Sequence, residues 1–307
     1  MNILLWHVHG SWTTAFVQGR HRYLVPVVPE RGPDGRGRPR TWDWPDSVHE
    51  VTAEEARSLP IDVVLLQRPH ELGGLARHWL GGREPGRDVA AVYLEHSTPP
   101  GPVAGMRHVT ADRPDLTVVH VTHCNRLFWD TGSTRTRVIE HGIPDPGARY
   151  TGELERAAAV INEPERRRRV VGTDLLPELG RGMPVDLFGM GTPRDLPQCQ
   201  LHEEMPRRRA YVHPYRWTSL GLSLIEAMHL GMPVVALATT EVPEAVPAGA
   251  GIVSNRTDVL VDGLRALARD AARARMMGLA ARDRALARYG LQRFLRDWDQ
   301  LLAEVTS

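Results

Sequence analysis

Lysine is absent from this chain of 307 residues, and all 38 basic residues are arginines. This absence excludes a Schiff base between lysine and pyridoxal phosphate, and it excludes the phosphate-binding lysine of a P-loop. Any group that binds phosphate must be an arginine, a histidine or a backbone amide. Arginine suits that role because its guanidinium can donate two parallel hydrogen bonds to phosphate oxygens.

The chain also has little cysteine, no long apolar run and no excess of charge. Cys124 and Cys199 lie far apart and outside any Cys-x-x-Cys pair, which is typical of two reduced thiols. No apolar run approaches the roughly 20 residues that cross a membrane. Residues 1–6 are typical of a first strand and not of a signal peptide. With 38 basic against 37 acidic residues, no net field attracts nucleic acid. We therefore expect a cytoplasmic protein with no transmembrane segment and no nucleic-acid partner.

Hydrophobic periodicity predicts an α/β fold with two domains. Short aliphatic runs alternate with longer helical patterns, which is typical of strand–helix–strand units in a parallel sheet. The length of 307 residues favours two such domains. The predicted strands are 3–8, 23–28, 61–66, 90–94, 117–121 and one that begins at 138, followed by 157–161, 185–188, 210–212, 234–238 and 251–253.

A linker rich in proline and glycine, at 144–147, predicts the domain boundary. We expect Rossmann-like domains over 1–147 and 148–288. In the last segment, 289–307, apolar residues recur on one helical stripe, which is typical of packing against a core. The Asp297-Trp298-Asp299 triplet lies on this helix, so we interpret its carboxylates as surface charge and not as a metal motif. His120 and His123 have no third ligand at a suitable spacing, and no metal site is predicted.

The most informative segment is 213–238, where a loop leads into an apolar helix and then into a buried strand. Residues 218–222 form that loop, and Glu226 follows one turn later. A helix start presents free backbone N–H groups and the positive end of the helix dipole, which suits a phosphate group. The Glu226 carboxylate could accept hydrogen bonds from sugar hydroxyls. The alternative is an ordinary N-terminal cap, in which Ser223 and Glu226 form a capping box.

The residues Leu222-x-x-x-Glu226-Ala227-Met228, followed by Gly231-x-Pro233-Val234-Val235, resemble the donor-binding motif of retaining glycosyltransferases of family four. That resemblance implies the GT-B fold, in which two Rossmann-like domains face a cleft and a C-terminal helix crosses back to the N-terminal domain. It also implies a nucleotide-sugar co-substrate and no metal or other cofactor. The family motif has two glutamates separated by seven residues. Glu226 matches the second, and Thr218 stands in place of the first.

The resemblance assigns roles to residues of the second half. Glu226 would bind the ribose hydroxyls of the donor. The diphosphate would face Ser219 and the amides of Leu220, Gly221 and Leu222, with Thr218 near the transferred sugar. The family also places a basic pair and a glycine before a helix of the form x-x-Leu-Leu. Gly172 matches that glycine, and Arg166 and Arg169 are the candidates to replace the missing lysine, although solvated surface charge is the alternative for such a run.

Two post-strand segments are candidates in the first half. His9, Gly10 and Ser11 follow the first strand, where a glycine turn lets a substrate or a diphosphate approach the backbone. His96 follows the strand 90–94 and resembles the family histidine that touches the donor sugar across the cleft, so it is the catalytic candidate. A structural role is the alternative for both segments. Gln67 and His70 end another strand and are weaker candidates.

These observations predict a glycosyltransferase that moves a sugar from a nucleotide diphosphate to an acceptor hydroxyl. The resemblance implies that the configuration is retained and that no metal is required. Two alternatives remain open. A GT-B epimerase would consume the nucleotide sugar without an acceptor. A non-catalytic relative would bind a sugar nucleotide without turnover, which Thr218 and the missing lysine keep possible. The sequence does not identify the sugar, the base, the acceptor or the oligomeric state.

Overall fold

The computed structural model describes residues 1–39 and 42–307. The chain divides into two compact units. Unit 1 comprises Met1–Ile143 together with Leu291–Ser307, and unit 2 comprises Pro144–Gly290. Each unit is built on its own parallel sheet with helices between the strands, so the predicted α/β class is confirmed.

Every neighbouring pair of strands in the two sheets is parallel. The strands are β1 (Asn2–Leu5), β2 (Arg22–Pro26), β3 (Val48–Val51), β4 (Val63–Leu66), β5 (Ala90–Glu95), β6 (Thr117–His120), β7 (Arg135–Val138), β8 (Leu154–Val160), β9 (Val185–Phe188), β10 (Arg208–His213), β11 (Val234–Ala236) and β12 (Gly251–Val253). The strand order is β3-β2-β1-β4-β5-β6-β7 in unit 1 and β12-β11-β10-β8-β9 in unit 2.

Helices connect these strands and close the chain. They are α1 (Gly10–Phe16), α2 (Ala53–Ser58), α3 (Ala76–Trp79), α4 (His123–Phe128), α5 (Pro164–Val171), α6 (Leu176–Leu179), α7 (Gln198–Glu204), α8 (Leu222–His229), α9 (Val242–Ala245), α10 (Thr257–Arg269), α11 (Ala271–Tyr289) and α12 (Leu291–Thr306). A π-helical turn, Glu71–Leu75, precedes α3, and short 3-10 turns occur at Val103–Gly105, Thr173–Leu175 and Met205–Arg207. None of the helices in the described ranges is long and apolar enough to cross a membrane.

Two edge strands of unit 1 differ from the prediction. The sequence pattern does not indicate β3, and it begins the last strand of the first half at Val138, where the structure ends β7. Both strands lie at the margins of the sheet, and each has side chains that are exposed or half-buried. Edge strands carry few apolar residues, so their bounds are set by hydrogen bonds to the neighbouring strand. That neighbour is β2 for β3 and β6 for β7.

Helix α12 belongs to unit 1 and completes its aromatic core. The ring centroids of Trp298 lie 5.5 Å from Trp12 and 5.0 Å from Phe16, and that of Phe294 lies 5.9 Å from Trp12. All four rings are at most 1% exposed. The apolar stripe predicted on this helix is therefore the face that packs, because buried aromatic side chains dominate core energetics.

The Asp297-Trp298-Asp299 triplet forms ion pairs within unit 1. Asp299 lies 2.8 Å from Nε2 of the buried His21 and 3.1 Å from Nε of Arg20. Asp297 pairs with Arg293 one turn earlier on α12, at 3.0 Å. These carboxylates thus pair with basic side chains of the same unit.

In the part of the chain that the structure describes, four buried histidines lack a hydrogen-bond partner on at least one ring nitrogen: His120 and His141 in unit 1, and His213 and His229 in unit 2. Burial disfavours the charged imidazolium and lowers the pKa of His120, His141 and His213 to about 3. Each of these histidines is therefore neutral in the native state near neutral pH.

Replacing Trp298 with alanine should destabilise the protein by about 3–5 kcal/mol, because the change removes a fully buried indole and leaves a cavity. The measurement is the free energy of urea unfolding. The control is Leu127→Ala, since Leu127 is 80% exposed, and it should stay within about 0.5 kcal/mol of the wild type. Equal effects of the two changes would contradict the packing role of α12.

Lowering the pH should cost stability through the buried histidines. Their native pKa lies below the ordinary value of 6.5, so the unfolded chain binds more protons, and stability falls as the pH drops through 6.5. At pH 5.5 each such ring should cost about 1.4 kcal/mol relative to pH 7.5. In the His213→Phe variant, the free energy of urea unfolding should differ between pH 7.5 and pH 5.5 by about 1.4 kcal/mol less than it does in the wild type. An unchanged pH dependence in this variant would show that His213 can be protonated in the native state.

Candidate functional site

The loop after β10 and the start of α8 form the centre of the candidate site in unit 2. In a parallel sheet, the carboxyl ends of all strands lie at one edge, which is where ligands bind in open α/β folds. Helix α8 is eight residues long, and Gly221 occupies its N-cap position with no side-chain hydrogen bond to the first turn. The positive end of this helix is thus left without a capping side chain.

The capping-box alternative is wrong. Ser223 lies inside α8 and not at its N-cap, and its hydroxyl oxygen accepts a hydrogen bond from the Tyr211 hydroxyl at 2.9 Å. Glu226 therefore does not take part in a capping box. Its carboxylate is buried, and His202 on α7 lies 3.6 Å away, measured from Nε2 to Oε2.

Gly221 is required by a neighbouring side chain. A Cβ atom at this position would lie 2.5 Å from Cε1 of His213, so the imidazole occupies the space that a side chain would need. Packing against His213 is thus a second reason for a glycine at this position, besides the expectation that Gly221 lets a ligand approach the backbone. The His213 ring in turn stacks on Tyr215, with centroids 4.3 Å apart.

The same loop is tied to the neighbouring strands of the sheet. The Tyr215 hydroxyl donates to the carbonyl of Val160 at 3.0 Å, at the end of β8. The Thr239 hydroxyl, which follows β11, donates to the carbonyl of Tyr215 at 2.6 Å. These bonds fix the loop just before the candidate positions, which begin at Thr218.

The predicted residues of the loop differ in exposure. Thr218, Gly221 and Leu222 are half-buried, whereas Ser219 and Leu220 are buried. The amide of Glu241 lies 3.5 Å from the carbonyl of Ser219. Pattern reasoning missed Glu241, a buried carboxylate that pairs with a guanidinium of α11 at 3.0 Å, because it lies far from the motif in sequence.

The structure brings Gly172 to the same loop. Gly172 ends α5 with a φ of +73°, and a Cβ atom there would lie 1.9 Å from the carbonyl oxygen of Pro214. The carbonyl of Val170 accepts hydrogen bonds from the amides of Arg216 and Trp217, at 2.9 and 3.2 Å. Glycine is therefore needed both for the left-handed backbone and for the close approach.

The candidate arginines lie on α5 and pair with nearby carboxylates. Arg166 is 69% exposed and pairs with Glu163, and Arg169 is 78% exposed and lies 3.2 Å from Asp174. Asp174 also accepts hydrogen bonds from both terminal nitrogens of Arg216, at 2.6 and 2.9 Å. Sequence reasoning missed Arg216, although it stands beside the motif that drew attention.

Unit 1 brings its predicted histidines together. His9 is the N-cap residue of α1, and its ring centroid lies 3.9 Å from that of His96. Nε2 of His96 lies 3.1 Å from the side-chain oxygen of Gln67. His141, which the pattern did not indicate, stacks 6.4 Å from His96.

Gly10 and Ser11 form the first turn of α1 rather than a separate loop. The expected glycine turn is thus absent from these positions, since the chain turns before residue 10. The His96 pKa is lowered well below its ordinary value, first by burial and then by the nearby His9 and His141. His96 is therefore a neutral imidazole near pH 7.

Comparisons with known proteins agree with this arrangement. Residues 193–284 match the family model of glycosyl transferases group 1. The matched range contains the β10–α8 loop and Glu226. No curated protein sequence matches the chain.

Solved structures resemble the chain over nearly its full length. Sucrose-phosphate synthase from Thermosynechococcus elongatus gives a TM-score of 0.73 at 13% identity, with 99% of each chain covered. HepE from Anabaena, in complex with UDP and glucose, gives 0.68 at 14% identity, also with 99% of each chain covered. A glycosyltransferase from Rickettsia africae gives 0.66 at 12% identity, covering 99% of this chain and 98% of that one.

Two parallel sheets in this order of elements, the family match around the β10–α8 loop and these structural likenesses point to one class of protein. The chain has the fold of the GT-B glycosyltransferases, and its residues 193–284 match the family model of glycosyl transferases group 1.

Proposed function

We propose that the chain transfers a sugar from a nucleotide diphosphate to an acceptor hydroxyl, with retention of configuration and without a metal ion. The observation that carries this proposal is the buried carboxylate of Glu226, one turn inside a helix whose start has no side-chain cap. The similarity to HepE, which was solved with UDP and glucose and also with UDP-glucose, supports a nucleotide-sugar donor. UDP is therefore the first nucleotide to test.

In this proposal, the diphosphate binds at the start of α8. The amides of Leu220, Gly221 and Leu222, together with Ser219, would donate hydrogen bonds to its oxygens, and the helix dipole favours the negative charge. Arg166 and Arg169 would supply the cations. Their pairs with carboxylates are exposed, and exposed ion pairs contribute little, so the guanidiniums can turn toward a phosphate at small cost.

Glu226 would accept hydrogen bonds from the ribose hydroxyls, and Thr218 would lie near the transferred sugar. Binding the diphosphate by amides and guanidiniums stabilises the leaving group as the glycosidic bond breaks. Positioning of the two substrates supplies the rest of the catalysis. No step in this scheme requires a metal ion, so activity should persist in the presence of a chelator.

His96 is the proposed catalytic residue of unit 1. Because its imidazole is neutral near pH 7, it would act through hydrogen bonding to the sugar and not as a fixed positive charge. With Nε2–H donating to Gln67, the tautomer has Nδ1 as the hydrogen-bond acceptor. His9, Gly10 and Ser11 would bind the acceptor or a phosphate group beside it.

Replacing Glu226 with glutamine should weaken UDP binding about tenfold or more, because the neutral amide has one acceptor oxygen where the carboxylate offers two charged ones to the diol. The measurement is isothermal titration calorimetry with UDP. Glu203→Gln changes an exposed glutamate of the same unit and should bind UDP as the wild type does. If Glu226→Gln binds UDP with unchanged affinity while the wild type binds it well, Glu226 does not contact the nucleotide.

Replacing Thr218 with glutamate restores the carboxylate that the family motif has at this position. Because Thr218 is half-buried at the loop surface, we expect the fold to be kept and the preference among donor sugars to change. The measurement is a transfer assay with UDP-glucose, UDP-galactose and UDP-N-acetylglucosamine, with the anomeric configuration of the product read by nuclear magnetic resonance. An unchanged preference would place Thr218 away from the sugar, and a product of inverted configuration would contradict retention.

A further inference from the structure

Glu226 has a basic neighbour that the sequence pattern does not reveal. Nε2 of His202 lies 3.6 Å from Oε2 of Glu226, and the side chains are 13% and 7% exposed. The two residues lie on different helices, α7 and α8, on either side of β10 in the chain. A distance of 3.6 Å is too long for a direct hydrogen bond. A small movement of either side chain would bring the two atoms within hydrogen-bond distance.

His202 already has a partner on its own helix. Nε2 of Gln198, one turn earlier on α7, lies 2.9 Å from Nε2 of His202. The side-chain amide donates in this arrangement, so Nε2 of His202 accepts and the ring proton sits on Nδ1. The same nitrogen cannot accept from Gln198 and donate to Glu226 at the same time. The imidazole therefore has two competing partners, of which only one is engaged.

We propose that His202 is a positioning residue for donor binding, an inference that rests on the proposed function of Glu226. When a ribonucleotide binds, Nε2 of His202 leaves Gln198, the neutral imidazole exchanges its proton with water so that it lies on Nε2 instead of Nδ1, and this Nε2–H donates to one oxygen of the Glu226 carboxylate. That contact fixes the carboxylate so that its remaining lone pairs accept from the two hydroxyls of the ribose. Gln198 holds the imidazole in the absence of nucleotide.

The physical reason lies in the burial of Glu226. A carboxylate taken out of water needs hydrogen-bond donors for its lone pairs. A vicinal diol offers two donors, and the His202 N–H offers a third. A ligand that lacks the 2′-hydroxyl removes one of these donors, so the benefit of positioning by His202 should be smaller for a 2′-deoxynucleotide than for a ribonucleotide.

The test measures the binding of nucleoside diphosphates to the full chain. UDP, GDP and ADP are titrated by calorimetry, and the tightest binder is compared with its 2′-deoxy counterpart. His202→Ala should weaken the ribonucleotide about tenfold and the 2′-deoxynucleotide no more than about twofold. His202→Gln keeps a side-chain N–H and should recover most of the loss. The neighbouring Glu203→Ala is the control, because Glu203 is exposed.

A double-mutant cycle separates positioning from a merely structural role. Because His202 acts through Glu226, the Glu226→Gln/His202→Ala double variant should bind the ribonucleotide no more weakly than Glu226→Gln alone. Equal weakening of the ribonucleotide and the 2′-deoxynucleotide by His202→Ala, or additive effects in the double variant, would overturn the inference while leaving the proposed function in place. A wild-type chain that binds none of the three nucleotides would overturn the proposed function and this inference together.

Discussion

The candidate site of unit 2 depends on the fixed conformation of the loop between β10 and α8. Its backbone and side chains are held by hydrogen bonds to the ends of three other segments: the carbonyl of Val160, the hydroxyl of Thr239 and the carbonyl of Val170. The His213 ring then fills the space beside Gly221. Because these contacts already pair the loop with the sheet, the first amides of α8 are held in place without a ligand. If an anion binds there as proposed, this preorganisation would reduce the entropy lost on binding.

Because the chain has no lysine, arginine is the only side chain that can bring a permanent positive charge to a bound phosphate. The guanidiniums of Arg166, Arg169 and Arg216 are paired with Glu163 and Asp174, which reduces the repulsion between neighbouring positive charges in the ligand-free chain. An anionic ligand would compete with those carboxylates for the same donors. A planar guanidinium can make that exchange while keeping two parallel hydrogen bonds, whereas an ammonium group would act as a point charge.

Much of the fold was predictable, because buried parallel strands are continuous apolar runs and their positions are therefore visible locally. The same holds for the helix that carries Glu226 and for the histidines that follow β1 and β5, since strand ends in parallel sheets meet at one edge. The edge strand β3 was not visible, because half of its residues face outward and its position comes from pairing with β2. The capping-box alternative failed because spacing along a helix does not state where the helix begins, and contacts of Ser223 with Tyr211 decide it.

The sequence by itself determined the α/β class, the motif that contains Glu226 and the exclusion of reactions that need a lysine. These are properties of local composition and periodicity, which depend on neighbours within a few residues. Only the tertiary structure decided which distant residues meet: His202 and Glu226, Gly172 and Pro214, and His141 and His96. Such contacts join residues that are distant in the chain, and their existence depends on how the strands are ordered and how closely the helices pack, which no single segment encodes.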